Sequence, residues 1–86
     1  MVAMKELIHF TADWCQPCKA MLPVIAQFKD KHPNINYIKI DIDKNQDVAK
    51  AYSVKGVPTF ISIVDNQQFQ RKTGRSSLSQ LESLFE

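Results

Sequence analysis

Two cysteines, Cys15 and Cys18, stand three positions apart in the stretch "DWCQPC", and the chain has no other thiol. A pair at i and i+3 where a helix begins shares one face and can close a small disulfide ring. The first of the two then occupies the helix N-terminus. Unpaired backbone N–H groups and the positive end of the dipole favour a thiolate there, the reactive form in thiol–disulfide exchange. Cys15 is therefore the candidate nucleophile. Cys18, one turn further in and expected to be the less exposed, is placed to attack the mixed disulfide that Cys15 forms with a substrate. Pro17 suits an early helical position, where its missing N–H costs least.

Other uses of the pair require other partners. A C-x-x-C unit can be half of a zinc site, but four-fold ligation needs two more donors. The chain offers His9 and His32, one in an apolar stretch before the pair and one at the far end of the helix that follows. About seventeen helical residues, roughly 25 Å, separate them, so no metal is expected. A bridge closing so short a loop constrains the unfolded chain little, which argues against a structural staple. Two inert core cysteines remain a further reading.

The elements that must position these residues follow from periodicity. "LIHF" reads as a buried strand leading into a loop at Thr11 to Trp14. From Cys15 onward, Met21, Leu22, Ile25 and Phe28 mark one face of a helix that stops before "HPN" at 32–34 and is kinked at Pro23. "INYIKIDI", 35–42, is a β-branched strand with Ile38, Ile40 and Ile42 on one face. Val48, Ala49, Ala51 and Tyr52 suggest a short helix, closed off by Gly56 and Pro58. "TFISIV" is the third strand, "DNQQ" a turn, and "FQRKT" a polar edge strand in antiparallel pairing. After Gly74, Ser77 and Gln80 fit a capping box for a last helix with Leu78, Leu81, Leu84 and Phe85 inward. The order βαβαββα implies an α/β fold: a mixed four-stranded sheet, helices on both faces, one domain over 1–86.

Composition narrows the function classes. The formal charge is only +2, with basic and acidic residues interleaved, so the electrostatic footprint of a nucleic-acid partner is missing. The longest apolar runs fall far short of the roughly 20 residues of a membrane helix, so no membrane association is expected. The N-terminus meets Lys5 and Glu6 before any export-length apolar segment, which points to a cytoplasmic address. Two cysteines are also too few for the disulfide framework of a small secreted domain.

Trp14, Cys15, Pro17 and Cys18 form W-C-x-P-C, Pro23 lies at a helix kink, and "GVPTF" spans 56–60. Together these resemble the thioredoxin family over nearly the whole chain, and the resemblance implies a thioredoxin fold. Taken singly, Trp14, Gly74 and Pro58 read as a packing aromatic, a turn residue and a strand-start proline. By the resemblance, the Val57–Pro58 bond is cis and faces the disulfide. Trp14, Gln16, Pro17, Val57, Pro58, Thr73 and Gly74 then form a docking surface for an extended substrate peptide beside Cys15, and Lys39 aligns with a family lysine near the site. The implied activity is reduction of protein disulfides by a monomer with no bound cofactor, supporting electron transport and redox homeostasis. An external reductase such as thioredoxin reductase would restore the dithiol.

The chain also departs from the family. His9 stands where the family usually carries a buried aspartate, and an imidazole, with its ordinary pKa near 6.5, would be the proton acceptor for Cys18. Gln16 replaces a frequent glycine. There is no room before "ELIHF" for a further strand and helix. Gln67 takes a hairpin position that tends to be glycine, so Asn66 is expected to adopt positive φ. A glutathione-dependent, glutaredoxin-like activity is kept open by Lys72 and Arg75, although "GRSS" lacks the Gly-Gly and acidic pattern expected for it. A binding subunit that does not use its thiols is the alternative from another class.

Overall fold

The computed structural model describes residues 4–86. Strand β1, Lys5–Thr11, runs parallel to β2, Ile35–Asp41, with His9 opposite Lys39 in the register. Its other edge pairs antiparallel with β3, Thr59–Val64, which places Phe60 opposite His9, and β3 pairs antiparallel with β4, Gln67–Thr73. The sheet order is β2-β1-β3-β4, so the polar last strand lies at an edge as expected.

Because β1 is central, its alternation feeds two cores, with Leu7 and His9 on one parity and Ile8 and Phe10 on the other. Leu7 packs with Met21, Ile25, Phe28, Phe60, Leu81 and Leu84 on one face. Ile8 and Phe10 pack with Ile61 and Ile63 on the other, covered by Val48 and Tyr52. Helices α1, Gln16–Ala20, and α2, Leu22–Lys31, share the first face with α4, Leu78–Ser83, while α3, Gln46–Ala51, covers the second.

Three local expectations need correction. The single kinked helix is two helices that meet at Met21. Pro23 has no N–H to continue the ladder from α1, yet sits comfortably in the first turn of α2, so the chain restarts instead of bending. The restart leaves Met21, Ile25 and Phe28 as the buried stripe and turns Leu22 outward, 54% exposed. The hairpin turn is shorter than "DNQQ": Asp65 (φ 52°) and Asn66 (φ 68°) both adopt the left-handed conformation, while Gln67 and Gln68 belong to β4. Two such residues match the twist of a two-residue hairpin. Asn66 is thus one of the two positive-φ residues of this turn, and the register slips between Ser62 and Ile63, setting Phe69 in a bulge.

The last helix starts as its sequence indicates. Ser77 Oγ accepts the Gln80 N–H at 3.2 Å and Gln80 Oε1 accepts the Ser77 N–H at 2.8 Å. Leu81 and Leu84 are buried, with Leu78 and Phe85 half-buried beside them.

Candidate active site: a cysteine pair at a helix N-terminus

Where β1 ends, the chain turns at once: the Cys15 N–H donates to the Ala12 carbonyl at 3.1 Å. Cys15 is the N-cap of α1, with extended backbone (φ −86°, ψ 106°), and its Sγ accepts the Cys18 N–H at 3.1 Å. A thiolate at this sulfur would meet a backbone donor aimed at it and the first turn of a helix behind it. Pro17 occupies that turn at no cost in hydrogen bonds. Cys15 and Cys18 are joined as a disulfide, with Cα atoms 5.2 Å apart.

The expected contrast in exposure between the two cysteines is not found. Cys15 is 3% exposed and Cys18 2% exposed, both held in a small cluster with Ala12 against Ile42 and Val57. The disulfide ties both sulfurs to the same packed surface. What separates them is the cap: Cys15 Sγ receives a backbone donor, and Cys18 supplies that donor.

A second segment closes the site from the sheet. The Val57–Pro58 bond is cis, Val57 packs on the cysteine cluster, and Pro58 is buried. The Pro58 carbonyl accepts the Gly74 N–H at 2.7 Å. Thr59 Oγ1 donates to the Gly56 carbonyl at 2.6 Å and lies 3.2 Å from Thr73 Oγ1. Thr73 and Gly74 (φ 102°) are thus fastened to the Pro58 segment and not to the cysteines themselves. Trp14, Gln16 and Pro17 are exposed on the helix side. Trp14 Nε1 donates to Asp43 Oδ2 at 2.9 Å, and Asp43 is itself held by its N–H on Asp41 Oδ1 at 2.8 Å.

His9 and Lys39 lie elsewhere, under Cys18. They share a cavity of about 370 Å³ with Thr11, Cys18, Lys19 and Leu22, so Lys39 belongs to the Cys18 side and not to the docking face. His9 is buried, its ring stacked on Phe60 at a centroid distance of 4.6 Å. Nδ1 makes a 2.8 Å hydrogen bond with Tyr37 Oη, whereas Nε2 has no partner among the described residues. Burial foremost, and then the positive charge of Lys39, pull its pKa down from 6.5 to about 4. The ordinary value assumed from the sequence therefore does not hold, and His9 rests neutral. Burial also pushes the Tyr37 phenol up to about 12.

Sequence reasoning missed Tyr37, Asp43 and the outward Leu22. Tyr37 pairs with Leu7 and reaches His9 diagonally, a contact that only the strand register reveals. Among the described residues no cluster of three metal-ligating side chains exists. His32 instead meets Glu82 Oε2 at 2.7 Å, where Lys31 also binds at 3.1 Å.

Comparison with known proteins agrees with this geometry. The family model described as Thioredoxin matches residues 2–86. Thioredoxin-2 of Pyricularia oryzae is 43% identical over 68 residues, covering 79% of this chain and 40% of that protein. Thioredoxin of Chlamydia trachomatis is 38% identical over 68 residues, covering 79% and 67%. Thioredoxin-2 of a malaria parasite, described as a component of its protein secretion machinery, superposes with a TM-score of 0.90 at 29% identity, over 99% of this chain and 84% of the other. Fasciola hepatica thioredoxin gives 0.88 at 29% identity, over 95% and 79%. The chain spans only part of several curated relatives, 40% of the Pyricularia protein and 59% of an H-type thioredoxin from Fagopyrum esculentum.

Proposed function

This chain belongs to the thioredoxin family, and on that premise we propose that it is a thiol–disulfide oxidoreductase that reduces protein disulfides. The observation that carries the proposal is the Cys18 N–H donated to Cys15 Sγ at the start of α1, a setting that lowers the free energy of a thiolate at Cys15. Cys15 attacks one sulfur of the substrate disulfide, the other leaves as a thiolate, and a mixed disulfide forms. Cys18 then attacks Cys15 Sγ, releasing the second substrate thiol and leaving the Cys15–Cys18 disulfide. The exchange needs no bound cofactor, and an external dithiol reductase returns the pair to the reduced state.

An extended substrate would lie across the exposed faces of Trp14, Gln16 and Pro17 toward Thr73 and Gly74, with the Pro58 segment as its backbone platform. The test is reduction of insulin by the chain with dithiothreitol as electron source, alongside Cys15→Ser and Cys18→Ser. The reading requires acceleration by wild type, none by Cys15→Ser, and protein substrates trapped on Cys15 of Cys18→Ser as mixed disulfides. Activity that survives Cys15→Ser would refute it.

A further inference from the structure

Between β4 and α4 the chain passes through Gly74, Arg75, Ser76 and Ser77. Two fastenings of this loop are of ordinary kinds: the Gly74 N–H donates to the Pro58 carbonyl at 2.7 Å, and Ser77 closes the capping box of α4. The fastening between them is different. Ser76 is buried, and the one acceptor that its N–H meets among the described residues is Met21 Sδ, at 3.4 Å. Buried backbone donors are nearly always paired, and here a thioether, a weak acceptor, supplies the partner. The Ser76 hydroxyl is engaged elsewhere, donating to the Gly74 carbonyl at 3.1 Å.

Met21 stands where it reaches both parts of the site. It lies at the junction of α1 and α2, three residues after Cys18. Its N–H donates to the Cys18 carbonyl at 3.1 Å, and its carbonyl accepts the Ile25 N–H at 2.9 Å. The backbone is thus held from both helices, and the side chain, 1% exposed, packs among Leu7, Ile25, Phe28 and Leu81. The restart at Pro23 is what brings residue 21 to this junction. Two hydrogen bonds through one residue therefore join the helix that carries the cysteines to the loop that follows Thr73. A leucine would fill the same core at nearly the same volume but would leave the Ser76 N–H without an acceptor. Packing alone does not call for the sulfur.

We propose that Met21 is a positioning residue for substrate docking, its Sδ holding the Ser76 N–H and so setting the Gly74–Ser76 backbone relative to Cys15. The proposal rests on the oxidoreductase reading and deepens it. Met21 makes and breaks no covalent bond; the exchange proceeds at Cys15 and Cys18. What it fixes is the far side of the surface along which an extended peptide would lie. Gly74 makes that side sensitive. With φ at 102° and no Cβ, it gives the loop little stiffness of its own, so the fastening at Ser76 carries the constraint. A peptide substrate feels a shift of this backbone, whereas a compact disulfide with no chain to lay along the loop does not.

The test compares wild type with Met21→Leu and with protein in which norleucine replaces methionine, exchanging sulfur for methylene at constant shape. The norleucine protein keeps the comparison decisive where Met21→Leu does not fold, and exposed Met4 is controlled by Met4→Leu. One readout is hydrogen exchange of the Ser76 amide relative to the amides of Leu7 and Phe60. The other is the ratio of kcat/KM for insulin to the rate constant for the small disulfide dithiobis(nitrobenzoate). Loss of the sulfur should speed Ser76 exchange about tenfold over the core amides. It should also lower the ratio about fivefold, the scale of one net hydrogen bond, through KM and not kcat. An unchanged ratio would overturn the proposal. So would faster exchange of all three amides with equal losses on both substrates, which marks a structural role only. Wild type that reduces neither substrate would refute the oxidoreductase reading itself, an outcome distinct from equal ratios in two active proteins.

Discussion

Acid should destabilise this fold through His9 in a window set by its two pKa values. In the unfolded chain His9 titrates near 6.5, whereas in the folded chain burial and Lys39 hold it at about 4. Between those values the unfolded state binds a proton that the native state refuses, so stability falls as pH falls. Stability is fully present above pH 6.5 and lost progressively down to about 4. At about 1.4 kcal/mol per pH unit the gap is worth about 3 kcal/mol, and because His9 is 1% exposed, solvent screening takes little of it. Glu82, whose pKa is lowered by hydrogen bonds from His32 and Lys31, adds an acid loss of its own as its carboxylate is protonated. The measurement must therefore be a difference. Urea unfolding of wild type and His9→Leu at steps from pH 7 to 4 should show wild type losing about 1 kcal/mol relative to the variant by pH 5.5 and about 3 by pH 4. Parallel stability curves over that range would refute the assignment of a buried, neutral His9.

Three further substitutions separate other parts of the structure. Ser62→Ala removes a hydroxyl that donates to the Leu84 carbonyl at 2.7 Å and accepts the Gln70 N–H at 3.0 Å. It should cost about 1 to 3 kcal/mol in urea unfolding, since both partners lose that bond. Gly74→Ala meets no atom within 4 Å but must hold φ at 102°. A cost of about 1 to 2 kcal/mol is expected from the backbone alone, and unchanged stability would contradict it. Asp43→Ala releases the indole of Trp14, the chain's single tryptophan. Its fluorescence anisotropy should fall with little change in unfolding midpoint.

Legibility in the sequence followed from how local each determinant is. The capping box of Ser77 and Gln80 and the run Thr59–Val64 were readable because a few adjacent residues fix them. The break at Met21 was not, because periodicity averages over a whole face. Pro23 fits both a kink inside one helix and the first turn of another, and only the second choice turns Leu22 outward. The turn at Asp65 and Asn66 was overestimated because Gln67 and Gln68 are polar, yet an edge strand accepts polar residues readily. Cys15, Cys18 and the Pro58 segment were identified by motif. Tyr37 carries no motif, and its contact with His9 depends on the register between β1 and β2.

That register links the stability of the fold to its chemistry. Parity places residue 9 with Leu7 on the face covered by α1, α2 and α4, the face that also carries Cys18. A one-residue slip of β1 would send His9 to the side of α3 and bring an apolar chain under the cysteines. On the correct face, an unpaired buried nitrogen costs about 1 to 3 kcal/mol, a sizeable part of the 5 to 15 kcal/mol that about spans the stability of such domains. A leucine there would carry no such cost and would remove the share of the acid sensitivity that His9 contributes. The imidazole instead occupies the position in β1 that lines the same cleft as Cys18, with Nδ1 held by Tyr37 Oη at 2.8 Å. The same burial that weakens the fold in acid keeps His9 neutral near pH 7.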